Sequence, residues 1–452
     1  VTHGDTTDET VGGEDVLDGH VPPTPAAGPR TRFNRKRDYV LLAGIVVALA
    51  VSGVVVWQRS DIRATESKPS NVRFDVLPAP EFFPPSLAEA WRADSPATWT
   101  PVTTGQLEDQ NTGMASTVVT GAGGEVAGRD PLTGDVRWTY KRDLDLCTVS
   151  MAWKKVVAVY RTDGNWLPEG DPRAGGGCSE VTALKADSGE RDAQRNFDAE
   201  LGTRLLDDGD HVTATGSLLL LTLRSDLVKT MEYGQLPAMV NPNKQPRTGC
   251  SYESVQVTSG KIGVIEHCGD YSADQLTVYK ASATDSDKPE VISSVVLPGE
   301  SAQIVAMSGD FTAVALPDPG RVLVYDGKGK LTATHPIDLG DRDLRENPVG
   351  RVPLVTTATG AFYWFTGSRT VVLSAADLRP LWTTPDTLGP GTIFAGRALV
   401  PVPDGIAVLS QADGARVGTI PVDREGHTGP VTMSSVGPMV LEQRGATLVA
   451  LH

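Results

Sequence analysis

The sequence predicts an all-β protein built as a closed ring of four-stranded sheets, a β-propeller, behind one membrane-spanning helix. Three observations carry that expectation: an uncharged apolar run near the N-terminus, a strand-turn-strand pattern that recurs after it, and an incomplete copy of the pattern at each end of the recurring region. The 452 residues hold 40% hydrophobic and 21% charged side chains with 47 Gly and 32 Pro. That profile excludes a disordered polymer, a collagen and a long coiled coil. Net charge is -15, from 41 basic and 56 acidic residues. A field of that sign opposes nucleic acid, whose phosphates demand an excess of Lys and Arg.

The chain opens on an acidic tail, residues 1–38, in which Asp5, Asp8, Glu9, Glu14, Asp15 and Asp18 precede Pro22, Pro23, Pro25 and Pro29. Such a stretch buries no core and is expected to be disordered. Tyr39 to Trp57 then gives nineteen residues without a charge, enough to span the ~30 Å hydrocarbon core as a helix. Aromatic rings bracket the run at both ends, where headgroups sit. A cleaved signal peptide would have a shorter apolar region and a small-residue cleavage site, whereas this run continues into Gln58-Arg59. Arg30, Arg32, Arg35, Lys36 and Arg37 crowd the N-terminal flank, while Arg59, Arg63 and Lys68 are interleaved with Asp61 and Glu66. The positive-inside bias places the N-terminus in the cytoplasm and the rest outside the cytoplasmic membrane. Residues 58–86 read as a linker and 87–452 as the extracytoplasmic domain.

All four cysteines, Cys147, Cys178, Cys250 and Cys268, follow the helix. An even number in an oxidising compartment favours two disulfides. Three connectivities exist, and the short separations favour Cys147 with Cys178 and Cys250 with Cys268. A metal site is the alternative, but there is no C-x-x-C, and the only His beside a Cys is His267, next to Cys268. Adjacent ligands suit a tetrahedral ion poorly, so no metal is expected.

Across the domain an apolar strand, a turn rich in Asp and Gly, and a second strand recur from Glu125, Glu180, Leu218, Gln275, Arg321, Thr370, Ile406 and Thr447. These starts span 322 residues in seven intervals, a mean of 46. That period suits a propeller blade, and it favours eight blades over seven. The last copy stops at the C-terminus, and its missing half is expected in EAWRADSP from Glu89. Pairing the two chain ends would remove two exposed sheet edges. An array of β-sandwiches is the runner-up fold and needs no such pairing. Gly134, Gly189, Gly327 and Gly414 sit where tight hairpins want positive φ. Trp138 and Trp382 follow their turns at one offset, with Trp91 at the matching place in the split copy. All three are expected in the core between blades rather than as ligand platforms.

The succession of x-V-x-A-L, D-x-x-T-G and W, clearest in Glu125 to Tyr140 and Glu180 to Arg191, resembles the pyrroloquinoline-quinone-like (PQQ-like) β-propeller repeat. With its acidic tail and single helix, the whole chain resembles actinobacterial single-pass membrane proteins that carry such a domain outside the membrane. Members of that superfamily range from quinone-dependent dehydrogenases to non-catalytic scaffolds of outer-membrane assembly, so the resemblance implies a fold more than an activity. The dehydrogenases hold their quinone beneath a disulfide of adjacent cysteines, above a Trp and beside calcium. No Cys-Cys dipeptide occurs here, and neither quinone nor any other cofactor is expected.

The sequence also lacks a G-x-S-x-G elbow, an H-E-x-x-H pair, a Walker loop and a Rossmann fingerprint. No catalytic residue is assigned. His211 beside Asp207, Asp208 and Asp210 could approach a metal, but Asp-Gly-Asp clusters are more often polar turns. Two inserts break the repeat, from Trp153 to Gly177 and from Lys229 to Cys250. Propellers bind through loops on one face or at the channel, so these inserts are the candidate recognition surface. Its expected members are Trp153, Tyr160, Trp166, Arg224, Glu232, Tyr233, Gln245, Arg247 and Tyr252. The function these features suggest is a membrane-anchored, non-catalytic binding or scaffold protein of the cell envelope, with a protein, glycan or glycolipid partner. The alternative is a cofactor- or metal-dependent enzyme with a divergent site in the channel.

Overall fold

The structure, a computed structural model, describes residues 36–58, 60, 63–72, 74–105, 114–162, 176–235, 243–269 and 273–452. The tail through residue 35, including Arg30, Arg32 and Arg35, and the candidate Trp166 lie outside the described residues. Two compact units divide the chain, Val1–Arg63 and Ala64–His452.

In the first unit a helix runs Lys36–Gln58, 23 residues with a mean hydropathy of 2.7 and no buried face. At 1.5 Å per residue it is about 34 Å long, sufficient to cross a bilayer. Ser60 closes its last turn, its Oγ donating to the Trp57 carbonyl at 2.8 Å. The Arg63 guanidinium lies 4.8 Å above the Trp57 ring.

The second unit is an eight-bladed propeller: eight antiparallel sheets follow one another along the chain. In blades two to seven the fourth strand is the outermost, and in Val291–Val296 and Leu331–Pro336 it is the most exposed strand of its sheet, as the rim of the ring requires. The repeat starts read from the sequence fall on third strands, from Glu125–Arg129 in the first blade to Thr447–Leu451 in the last, except Leu218, which stands one residue before its strand Leu219–Arg224. Eight apolar clusters fill the spaces between consecutive sheets. One of them joins Trp91, Leu441, Leu448 and Ala450 of the eighth blade to Val118 of the first. A sandwich array has no such closing contact.

Closure is made as the half-copies require. Glu89–Asp94 is the outer strand of the eighth blade and pairs antiparallel with Thr447–Leu451, with Trp91 opposite Ala450 and Asp94 opposite Thr447. Backbone bonds of 2.9 Å in both directions between Ala88 and His452 extend the ladder. Gln443 and Thr98 tie the next layer, the Thr98 hydroxyl donating to Gln443 Oε1 at 2.9 Å. A fifth strand, Thr65–Lys68, adds to the first blade along Val136–Arg142 and covers an edge that would otherwise be open.

The three tryptophans dock from blade to blade in one way. The Trp91 indole N–H donates to Pro131 O at 2.8 Å, Trp138 to Ala186 O at 3.2 Å, and Trp382 to Gln411 O at 3.1 Å. Each ring lies against a glycine in the turn of the following blade: Gly134, Gly189 and Gly414, with φ of 76°, 71° and 70°. A Cβ on Gly189 would stand 2.4 Å from the Trp138 ring, so glycine is required there for space as well as for φ. By register, Ala193 and Ala333 occupy the tryptophan's place in blades two and five. There the following turn carries Leu227 and Leu378, fully buried and also at positive φ, 62° and 57°. Ala193 packs in the cluster that holds Leu227, and Ala333 in the one that holds Leu378. Volume is thus conserved across the junction by exchanging large-on-small for small-on-large. Gly327 departs from expectation: in its turn the positive-φ residue is Gly329 (77°), because Asp326 Oδ1 accepts the amides of Lys328 and Lys330 and places the left-handed residue between them.

Candidate binding face

Antiparallel strands send their connections alternately to the two faces of the ring. First-to-second and third-to-fourth strand turns lie on one face; second-to-third turns and blade-to-blade connections lie on the other. Both disulfides are on the latter. Cys147 and Cys178 open the first and third strands of the second blade and are joined, and Cys250 is joined to its cross-strand partner Cys268 in the fourth. The expected pairing is therefore the one formed. Cys250, Glu266 and Cys268 lie close enough to suggest a metal triad, but the shared disulfide leaves no thiolate to bind an ion.

The same face carries the described ends of the long connections between Thr162 and Gly177, Gly234 and Cys250, and Pro336 and Val355. The described part of the second packs against the outer strands of the third and fourth blades, Lys229–Gly234 and Val291–Val296. Gln245 accepts from Gly234 N at 3.0 Å and donates to Glu232 O and Asp287 O at 3.1 and 3.0 Å. Lys244 reaches Asp287 at 2.8 Å. Arg247 closes a fully buried carboxylate: its Nη1 donates to Glu266 Oε2 at 2.7 Å, while the Tyr279 hydroxyl donates to Oε1 at 2.6 Å and Thr277 Oγ1 to Oε2 at 3.1 Å. Tyr233 stacks on Tyr252 and lies 4.6 Å from Tyr279. Burial pulls the Arg247 guanidinium down, but Glu266 and the neighbouring phenols outweigh it and leave it raised. Burial, reinforced by Glu266, also pushes Tyr233 and Tyr279 up, so these phenols stay neutral. Removing one partner of such a pair strands the other. Arg247→Ala is expected to destabilise the protein by about 2 kcal/mol, less than for a fully buried pair because Arg247 is 25% exposed. Adding Glu266→Gln should recover part of that loss, a coupling read by denaturant titration of the four variants.

The third connection crosses the ring. Its Gly350 carbonyl accepts from Thr215 Oγ1 of the third blade at 2.5 Å, Gln303 Nε2 donates to Glu346 O at 3.0 Å, and Asn347 bonds Glu253 of the fourth blade. The opposite face is crossed instead by the segment after the fifth strand. Ser70 N donates to Ser188 O at 2.9 Å, Arg137 stacks 4.0 Å over Phe74, Leu77 N donates to Ser116 Oγ at 2.8 Å, and Phe83 meets Phe394 edge-on at 6.3 Å. A cavity of about 720 Å³ remains beside this segment, lined by Pro80, Thr356, Phe394 and Met433 among others.

The candidate residues therefore divide. Tyr160, Tyr233 and Tyr252 are buried between blades and offer no surface. Gln245 and Arg247 are on the disulfide face but use their polar atoms internally. Glu232 is half-buried and paired with Lys229. Trp153 and Arg224 lie on the opposite face, where the Trp153 indole donates to Asp210 O at 2.9 Å and Arg224 pairs with Asp226 at 2.8 Å. The blade-core assignment of Trp91 and Trp138 agrees with their exposures of 9% and 1%; Trp382 docks identically but is only half-buried. Around His211 the structure shows a polar turn, Asp208 Oδ1 accepting the amides of Asp210 and His211. Reading by residue type missed the crossing segment Ser70 to Leu87, whose Phe74, Leu77, Phe83 and Leu87 are more apolar than a solvated linker needs.

No family model and no curated protein sequence matches this chain. Solved structures with a similar course include BamB from Moraxella catarrhalis (12% identity, 81% of this chain and 99% of that one, TM-score 0.47). The C-terminal WD40 domain of Sif2 aligns at 10% identity over 82% and 99%, TM-score 0.49, and apo AztD from Citrobacter koseri at 13% over 73% and 88%, TM-score 0.42. At these scores and identities none of the three carries a functional argument.

Proposed function

We propose that this chain is a membrane-anchored, non-catalytic propeller outside the cytoplasmic membrane that binds a cell-envelope protein, glycan or glycolipid through its disulfide face. The observation that carries this reading is that both disulfides share a face with the ends of the three longest connections between consecutive strands of the ring. Both disulfides and the described ends of the connections between Thr162 and Gly177, Gly234 and Cys250, and Pro336 and Val355 lie there, and the internal bonds of Gln245, Arg247 and Asn347 hold the described parts of the last two in place. A loop fixed before binding loses little entropy on binding. The disulfides support an oxidising compartment, and the basic flank Lys36–Arg37 with the residues before it supports a cytoplasmic N-terminus.

Photo-crosslinking distinguishes the faces. A photoreactive residue at Leu201 or Val349, 51% and 58% exposed on the disulfide face, is expected to capture an envelope component in living cells. The same probe at Leu132, 42% exposed on the opposite face, is expected to capture none. Equal capture from both faces, or from Leu132 alone, would contradict the assignment. Reporter fusions at the two termini check the topology: activity of a periplasm-dependent reporter at the N-terminus would overturn it.

A further inference from the structure

Three blade-to-blade connections from well-separated points on the ring converge on the disulfide face. Trp99 comes from the connection between the eighth and first blades, Arg204 from that between the second and third, and Gly350 from that between the fifth and sixth. The Arg204 guanidinium stacks 4.0 Å from the Trp99 ring, and a Cβ on Gly350 would stand 2.6 Å from Arg204 Cγ. Connections so far apart can meet only over the axis, so this pair stands at the mouth of the central channel.

Arg204 is 8% exposed, yet no acceptor among the described residues meets its guanidinium, and its Nε is a buried donor without a partner. The Trp99 indole nitrogen beside it is likewise a buried donor without a partner. Glu200, in the same connection as Arg204, is committed elsewhere, accepting from Ser217, Leu218 and Leu219, and Glu253 accepts from Asn347. Burial alone pulls Arg204 down to about 10, so it stays a cation at neutral pH. Other deeply buried arginines of this protein have a counter-charge, Arg142 with Glu180 and Arg424 with Glu442. A buried cation and a neighbouring N–H, neither with an acceptor, form a half-built hydrogen-bonding site, and the missing half is an anion.

We infer that the channel mouth binds one small oxyanion, the carboxylate or phosphate group of a ligand, on the Arg204 guanidinium and the Trp99 indole N–H. A planar guanidinium offers paired N–H groups in the geometry that carboxylates and phosphates accept, and the Trp99 ring beside it favours the cation. The inference rests on the disulfide face being the recognition face and supplies the chemistry that the partner brings to it.

The test is thermal unfolding of the full chain in detergent, titrated with sodium phosphate and with sodium acetate against sodium chloride of equal ionic strength. Binding to the folded state raises Tm with ligand concentration. The expected result is a saturating rise beyond chloride with at least one of the two anions, and the tighter one identifies the group. Arg204→Gln should abolish the rise. Trp99→Phe keeps the ring and removes the N–H, and should weaken half-saturation about 10-fold, so a misfolded Arg204 variant would not leave the question open. A rise equal to chloride for both anions, or one unchanged in both variants, overturns the site. Loss of the anion effect with face-specific crosslinking intact would overturn this site alone.

Discussion

Deleting Thr447–His452 is expected to abolish cooperative folding of the propeller. The lost strand pairs on one side with Met439–Arg444 and on the other with Glu89–Asp94, so its removal opens two ladders and leaves the N-terminal strand without a partner. Leu448, Val449, Ala450 and Leu451 are each at most 2% exposed. Burying a side chain such as Leu or Val contributes about 1.5–3 kcal/mol. Three such residues, with the unpaired backbone added, approach the whole 5–15 kcal/mol by which domains are stable. Circular dichroism against urea should show no sigmoidal transition for the truncated chain. Removing the fifth strand, Thr65–Lys68, whose side chains are mostly exposed, should shift the midpoint only slightly, since it covers an edge and closes nothing. Comparable losses from the two deletions would deny the C-terminal strand its special place.

Trp138→Ala is expected to cost about 4 kcal/mol, the usual loss for a large aromatic truncated in a core. Gly189→Leu alone should also be severely destabilising, because the new side chain meets the indole at once and must adopt φ of 71°. Combined, the two should be far less harmful than their sum, since the double variant reproduces the alanine-leucine junction found between blades two and three and between five and six. A favourable coupling of about 2 kcal/mol in a denaturant-based double-mutant cycle is the expected outcome. Additive losses would mean that Leu227 and Leu378 owe their backbone conformation to something other than the small residue facing them.

The ring was legible because its physics repeats. The period of the third strands, the Gly turns and the split copy are each local patterns, and Trp91 stood out by sharing the offset of Trp138 and Trp382. The compensating leucines carried no such signal: Leu227 and Leu378 occupy turn positions where sequence reasoning looks for glycine, and only the register shows that Ala193 and Ala333 make room for them. The binding face was harder to read for a related reason. Residue type suggested Tyr160, Tyr233 and Tyr252 as contact groups, but a strand in a propeller is buried on both faces, so a tyrosine beside an insert is more readily core than surface. Trp153 and Arg224 bordered the inserts in sequence but not in space, because each strand carries the chain from one face to the other. The pairing of Arg204 with Trp99 joins residues 105 positions apart, a contact that no local pattern announces.

Ring closure is tested most directly by a covalent bond across the seam. Asp94 and Thr447 are cross-strand partners, and a protease site inserted between Gly105 and Met114 would cut the chain so that both native disulfides stay in the C-terminal fragment. In the D94C/T447C variant, oxidation followed by cleavage should leave the two fragments joined on a non-reducing denaturing gel and separable on reduction. Fragments that part without reductant, while the uncut protein remains folded, would show that the N-terminal strand does not complete the last blade.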